Sequence, residues 1–109
     1  MKRYGMVIGL RPEKIAEYKQ LHAAVWPGVL DTLSRNGVHN FTIFLKEPEN
    51  LLFGTFEYDG DDYSVAAEKI AADPVTQEWW TLTEPCQAPL ATRKEGEWWA
   101  YLEEVFHLD

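Results

Sequence analysis

Apolar and polar positions alternate along Tyr4–Leu10, where Met6, Ile8 and Leu10 stand against Gly5, Val7 and Gly9. A period of two predicts a first strand. The period then lengthens. From Ile15 the apolar positions are Ile15, Tyr18, Val25, Trp26, Val29 and Leu33, which gather into one narrow arc at about 100° per residue. This pattern predicts a helix opening near Pro12, a residue suited to a first helical turn, with Glu13 where the helix dipole favours an acid. Pro27 falls inside it and predicts a kink, because its ring removes an amide donor and clashes one turn back. Asn36-Gly37 predicts the helix end, with one of the two in the left-handed cap.

Val38–Leu45 and Leu51–Tyr58 are rich in Phe, Ile, Val and Thr and predict two strands. Lys46–Asn50 joins them as an antiparallel hairpin. Gly54 interrupts the second of these strands and signals a bulge or the close approach of another group. Asp59–Asp62 supplies a turn and an N-cap for a helix over Tyr63–Ala71. Asp73-Pro74 restarts a short helix carrying Trp79 and Trp80. Thr83–Glu97, with two prolines and a glycine, reads as a long loop before a final strand over Trp98–Leu108. The order β-α-β-β-α-β predicts an α+β, ferredoxin-like antiparallel sheet with helices on one face. Its open face carries aromatics, so pairing of open faces into a homodimer, a dimeric α/β barrel, is expected. No internal repeat or linker appears, and residues 1–109 read as one domain.

Composition narrows the partners. Ten Lys and Arg against 18 Asp and Glu give a net charge of −8. Such a chain repels nucleic acid and anionic membrane surfaces, so neither is expected, and a neutral small molecule suits it better. The hydrophobic share of 46% suffices for one packed core. Cys86 is the lone cysteine, which fits a reducing compartment and a small buried hydrophobe. No targeting segment or membrane span shows, and a cytoplasmic location is expected.

Candidate chemistry centres on Tyr18, His22 and Trp26, four residues apart and so along one stripe of a helix. His22 interrupts an otherwise apolar arc. Either it is a core histidine with satisfied ring nitrogens, or it transfers protons; a buried imidazole needs a partner or a purpose. Trp79 and Trp80, about 100° apart on a helix, point different ways, so one stacks on ligand while the other seals or packs. Trp98-Trp99 on a strand have rings on opposite faces and read as structural or interfacial. His22, His39 and His107 show no metal-ligand spacing, and no nucleophile triad or phosphate loop appears. Aromatic faces and polar groups together suit a sugar, and cofactor-free acid–base work by a histidine is the chemistry expected, with no metal.

The run Tyr18-Lys-Gln-Leu-His22-Ala-Ala-Val-Trp26-Pro27, then Gly37-Val38-His39-Asn40, Asn50-Leu51-Leu52-Phe53, Trp79-Trp80 and Glu104-Val105-Phe106, resembles the L-rhamnose mutarotase family in order and nearly end to end. The resemblance implies a homodimeric ferredoxin-like fold and a cofactor-free isomerase that interconverts the α and β anomers of L-rhamnose. By the same resemblance His22 is the proton donor, and Tyr18, Trp79 and Trp80 contact substrate, with Trp26 supporting the pocket. One position departs: the family commonly has a sugar-binding tyrosine after His-Asn, and here it is Phe41, kept as a binder through its ring face. The loop Thr83–Glu97 also matches poorly. Two other readings stay open: a cofactor-independent monooxygenase or lactone isomerase of the same dimeric fold, and a non-catalytic sugar-binding module that makes no demand on His22.

Overall fold

The computed structural model describes all 109 residues. Its first strand, β1 (Lys2–Leu10), runs through the interior of a five-stranded sheet. β1 pairs on one side with β3 (Leu51–Tyr58), which pairs in turn with β2 (Val38–Lys46). On its other side β1 pairs with two short segments, β4 (Gln87–Ala88) and β5 (Ala100–Leu102). Every neighbouring pair is antiparallel.

Alternation along β1 and β3 turns Met6, Ile8, Leu10, Leu52 and Phe56 to the side covered by helices, where they form two buried clusters. Ile8, fully enclosed, anchors the first with Leu10, Tyr18, Leu52 and Cys86. The second joins Met6, Val38, Phe56 and Ile70. Gly54 lies regularly in β3, opposite Met6, so the close-approach reading holds and the bulge reading does not. A Cβ there would meet the Met6 side chain at 3.0 Å and the Trp99 ring at 3.5 Å. The missing side chain therefore lets an indole lie on the sheet.

The first crossover departs from one kinked helix. It is a 3-10 turn (Pro12–Lys14), then α1 (Ile15–His22), then a separate α2 (Pro27–Arg35). Trp26 is extended, with φ −61° and ψ 134°, and Pro27 opens α2 at its first position. The residue before a proline is driven out of the helical region, so the chain breaks where a kink was expected. Gly37, at φ +83°, takes the left-handed position after α2.

The second crossover is α3 (Tyr63–Ala72) followed by α4 (Pro74–Thr83). Asp73 ends one and caps the other: its carboxylate accepts from the Thr76 amide and hydroxyl, each at 2.9 Å, and from the Thr32 hydroxyl at 3.1 Å. One side chain thus closes the start of α4 and ties it to α2.

The bulge lies in β2 instead. His39 pairs with Glu57 and Thr42 with Thr55, so Asn40 and Phe41 together face the single residue Phe56. Asn40 sits at φ +50°, with its amide on the Glu57 carboxylate. An extra residue reverses the alternation after it. Phe41, which a regular strand would turn away from Val38, therefore comes onto the helix side against Phe56, ring centroids 5.5 Å apart.

The chain end corrects the expected final strand over Trp98–Leu108. Only Ala100–Leu102 pairs, and Val105, Phe106 and Leu108 stand exposed beyond it. The expected loop Thr83–Glu97 holds a 3-10 turn (Glu84–Cys86) and β4. No helix is long and apolar enough to cross a membrane.

Candidate active site

Tyr18 and His22 stand one turn apart on α1, and their rings stack with centroids 4.2 Å apart. The His22 Nδ1 lies 2.9 Å from the Tyr18 carbonyl oxygen. A carbonyl only accepts, so Nδ1 carries the hydrogen and the neutral ring presents Nε2 as its basic nitrogen. Arg3 Nε is the one buried side-chain nitrogen or oxygen without a hydrogen-bond partner. Nε2 makes no hydrogen bond within the protein, so it is open at the surface of the site.

Trp79 walls this pair. α4 turns its ring inward to 5% exposure, edge-on to His22 at 5.6 Å and to Trp26 at 5.2 Å. Trp26 has thus left the helical stripe that spacing predicts and reaches the site through Trp79, from the break between α1 and α2. Trp80, half-buried, turns to the second cluster of Met6, Val38, Phe56 and Ile70. Phe41 meets that same cluster through Phe56 and keeps 39% of its surface exposed. The expected residues therefore fall into two groups on the helix side of the sheet: Tyr18, His22, Trp26 and Trp79 around the imidazole, and Trp80 with Phe41 around Phe56.

Trp99 packs against both clusters and so bridges the two groups. Trp98 donates its indole N–H to the Gln87 side-chain oxygen at 2.7 Å, and the Gln87 amide nitrogen donates to the Tyr18 hydroxyl at 3.3 Å. Both tryptophans thus engage the helix side. Residues 98 and 99 precede β5, so the strand alternation that would put their rings on opposite faces does not apply. Neither Gln87 nor Trp99 is legible as a site residue, because Gln87 sits in a strand of two residues, too short to show a period, and Trp99 in the irregular chain between β4 and β5. The tandem Trp98-Trp99 was the available signal.

Burial decides the charge states. It lowers the pKa of His22 below the ordinary histidine value, partly offset by the bond to the Tyr18 carbonyl. The imidazole is accordingly neutral at neutral pH, and its conjugate acid is stronger than free imidazolium. Burial pushes Tyr18 up to about 12, only partly countered by the hydrogen bond from Gln87, so the phenol keeps its proton. Cys86, pushed up by burial and by the neighbouring Glu17 carboxylate, stays a thiol. No three His, Cys, Asp or Glu side chains converge as a metal site would require. The arrangement offers one basic nitrogen, one fixed phenol and several aromatic surfaces, which suffices to hold a small polar ring and move a proton on it.

Comparison with known proteins points the same way. A family model described as L-rhamnose mutarotase matches residues 3–108. The L-rhamnose mutarotases of Oceanobacillus iheyensis and Bacillus subtilis are 32% and 33% identical to the chain, with each pair matched over its full length. Among solved structures, an L-rhamnose mutarotase from Formosa agariphila superposes with a TM-score of 0.78 at 24% identity, both chains fully covered. The tetracenomycin F2 cyclase of Streptomyces glaucescens, a type-II polyketide cyclase, reaches 0.75 at 18% identity, covering all of this chain and 98% of its own. Two enzymes of different chemistry share the fold, so the fold alone selects neither activity. The end-to-end sequence match does select: the chain belongs to the L-rhamnose mutarotase family.

Proposed function

We propose that the protein interconverts the α and β anomers of L-rhamnose, with His22 as the proton-transfer group and no cofactor. The observation that carries this reading is the open Nε2 of His22, whose ring donates through Nδ1 to the Tyr18 carbonyl and stands beside two aromatic walls. In ring opening the neutral imidazole takes the proton of the anomeric hydroxyl at Nε2. As the bond from C1 to the ring oxygen breaks, the imidazolium gives a proton to that oxygen, leaving an aldehyde and a free hydroxyl. Rotation about the C1–C2 bond exposes the other carbonyl face, and the reverse transfers close the ring. Both oxygens sit on C1, so one nitrogen reaches them in turn. The depressed basicity of His22 helps the second half of this exchange, because its conjugate acid gives the proton up readily.

Tyr18 orients the sugar through its hydroxyl, Trp80 offers a face to its C–H side, Trp79 meets it with the small uncovered edge of its ring, Trp26 supports Trp79, and Phe41 supplies a ring face without a hydroxyl. The chain acts as a homodimer on this reading. Phe44, 61% exposed, and Leu102, 48% exposed, are the most exposed apolar side chains on the open sheet face, and a second copy would cover them. Light scattering should then give twice the 12.6 kDa of one chain; a mass of 12.6 kDa at assay concentration would remove the dimer. A cytoplasmic location accords with the single thiol.

The activity is tested by polarimetry of freshly dissolved α-L-rhamnose, where the enzyme should hasten the approach to equilibrium. The pH dependence gives the resting form of His22. Its folded pKa is lowered from 6.5, so the reactive neutral imidazole dominates above that value and is lost as pH falls through the lowered pKa. The catalysed rate should hold between about pH 7 and 8 and decline on acidification below about 6.5. A rate that instead rose on acidification would make the imidazolium the resting form and contradict the scheme.

A further inference from the structure

The link between Trp98, Gln87 and Tyr18 fixes more than position. An indole N–H only donates, so the Gln87 group facing Trp98 at 2.7 Å is its carbonyl oxygen. That settles which way the amide is turned, and its NH2 faces Tyr18. An amide NH2 also only donates, so the phenol oxygen accepts from Gln87 and its own hydrogen must point elsewhere. Tyr18 is buried and makes no second side-chain hydrogen bond, which leaves that O–H as its unspent donor. Gln87 is itself 4% exposed and held by β4 opposite Leu10, so the amide has little freedom to turn.

We propose that Gln87, keyed by the Trp98 indole, is a positioning residue that commits the Tyr18 hydroxyl to donate into the site. The ligand atom that meets it is an acceptor: a sugar ring oxygen or hydroxyl oxygen. Trp98 stands 39% exposed at the end of the segment between β4 and β5, so placement of that segment is coupled to the phenol. Neither residue touches substrate; both act through Tyr18. The inference rests on the reading that Tyr18 contacts the sugar.

The test is a double-mutant cycle on anomer exchange with L-rhamnose, measured as kcat/KM. Tyr18→Phe removes the donor and should cost roughly tenfold, the worth of one hydrogen bond. Gln87→Met keeps the volume and loses the amide, and should cost about threefold in the wild-type background and nothing further alongside Tyr18→Phe. Trp98→Phe, at an exposed position that folding tolerates, should cost about twofold and likewise lose its effect beside Tyr18→Phe. Equal losses in both backgrounds, for either partner, would overturn the proposal while leaving Tyr18 as a sugar contact. No loss from Tyr18→Phe alone would remove Tyr18 from the site and the proposal with it.

Discussion

Replacing His22 with alanine is expected to lower kcat/KM for anomer exchange by roughly 10²–10⁴-fold, the range general acid–base catalysis supplies. That is about 3–5 kcal/mol of barrier. The expected loss is chemical because the variant should remain folded at the assay temperature. His22 is half-buried, and its one hydrogen bond runs to a carbonyl of its own helix. Its stacking on Tyr18 and its edge contact with Trp79 add to that bond, so the stability cost should be about 1–3 kcal/mol, with circular dichroism unchanged and the melting temperature lowered by about 5–15 °C. The aromatic walls remain in the variant, so sugar binding should weaken far less than turnover. Imidazole added to His22→Ala should restore part of the rate by supplying the missing base. A variant that exchanges anomers at the wild-type rate would move the proton transfer to another group.

The second large effect is structural and reaches the site indirectly. Trp79→Ala should destabilise the protein by about 3–5 kcal/mol, as for other buried tryptophans cut to alanine. Its ring is nearly enclosed and makes edge-on contacts with both His22 and Trp26. Each such aromatic pair adds roughly 0.5–1.5 kcal/mol beyond simple burial. A domain of this size has only about 5–15 kcal/mol in hand, so the melting temperature should fall by about 10–20 °C at equal protein concentration. Loss of this wall also frees the His22 ring to turn, so exchange should weaken even where the variant is folded. Trp79→Phe, which keeps an aromatic face, should recover most of the stability. Unchanged melting of Trp79→Ala would contradict the enclosed packing of this ring.

The antiparallel sheet and the helices on one face were legible because alternation in β1 and β3 and the helical arc near Tyr18 are strong periodic signals. The Tyr18 and His22 pairing was legible for the same reason, since four residues make one turn. What failed were places where one local conformation resets the pattern. Spacing places Trp26 on the helical stripe, but the proline after it forces an extended backbone, and Trp26 reaches His22 only through Trp79. Phe41 comes onto the helix side, against Phe56, only because Asn40 adopts a left-handed conformation and shifts the phase of β2, which composition does not announce. Gln87 and Trp98 lie in a stretch without period, where sequence spacing carries no direction. Their role rests on donor and acceptor chemistry that only proximity reveals.

The most direct measurement is NMR magnetisation exchange between the two anomeric protons of L-rhamnose at equilibrium, with and without the enzyme. It reads interconversion itself, with no coupled step and no net reaction. Exchange faster than the spontaneous rate, in proportion to enzyme and fading as His22 becomes protonated, is the expected result. An exchange rate unchanged by the enzyme, with sugar binding still detectable, would contradict it and leave a sugar-binding protein without catalysis.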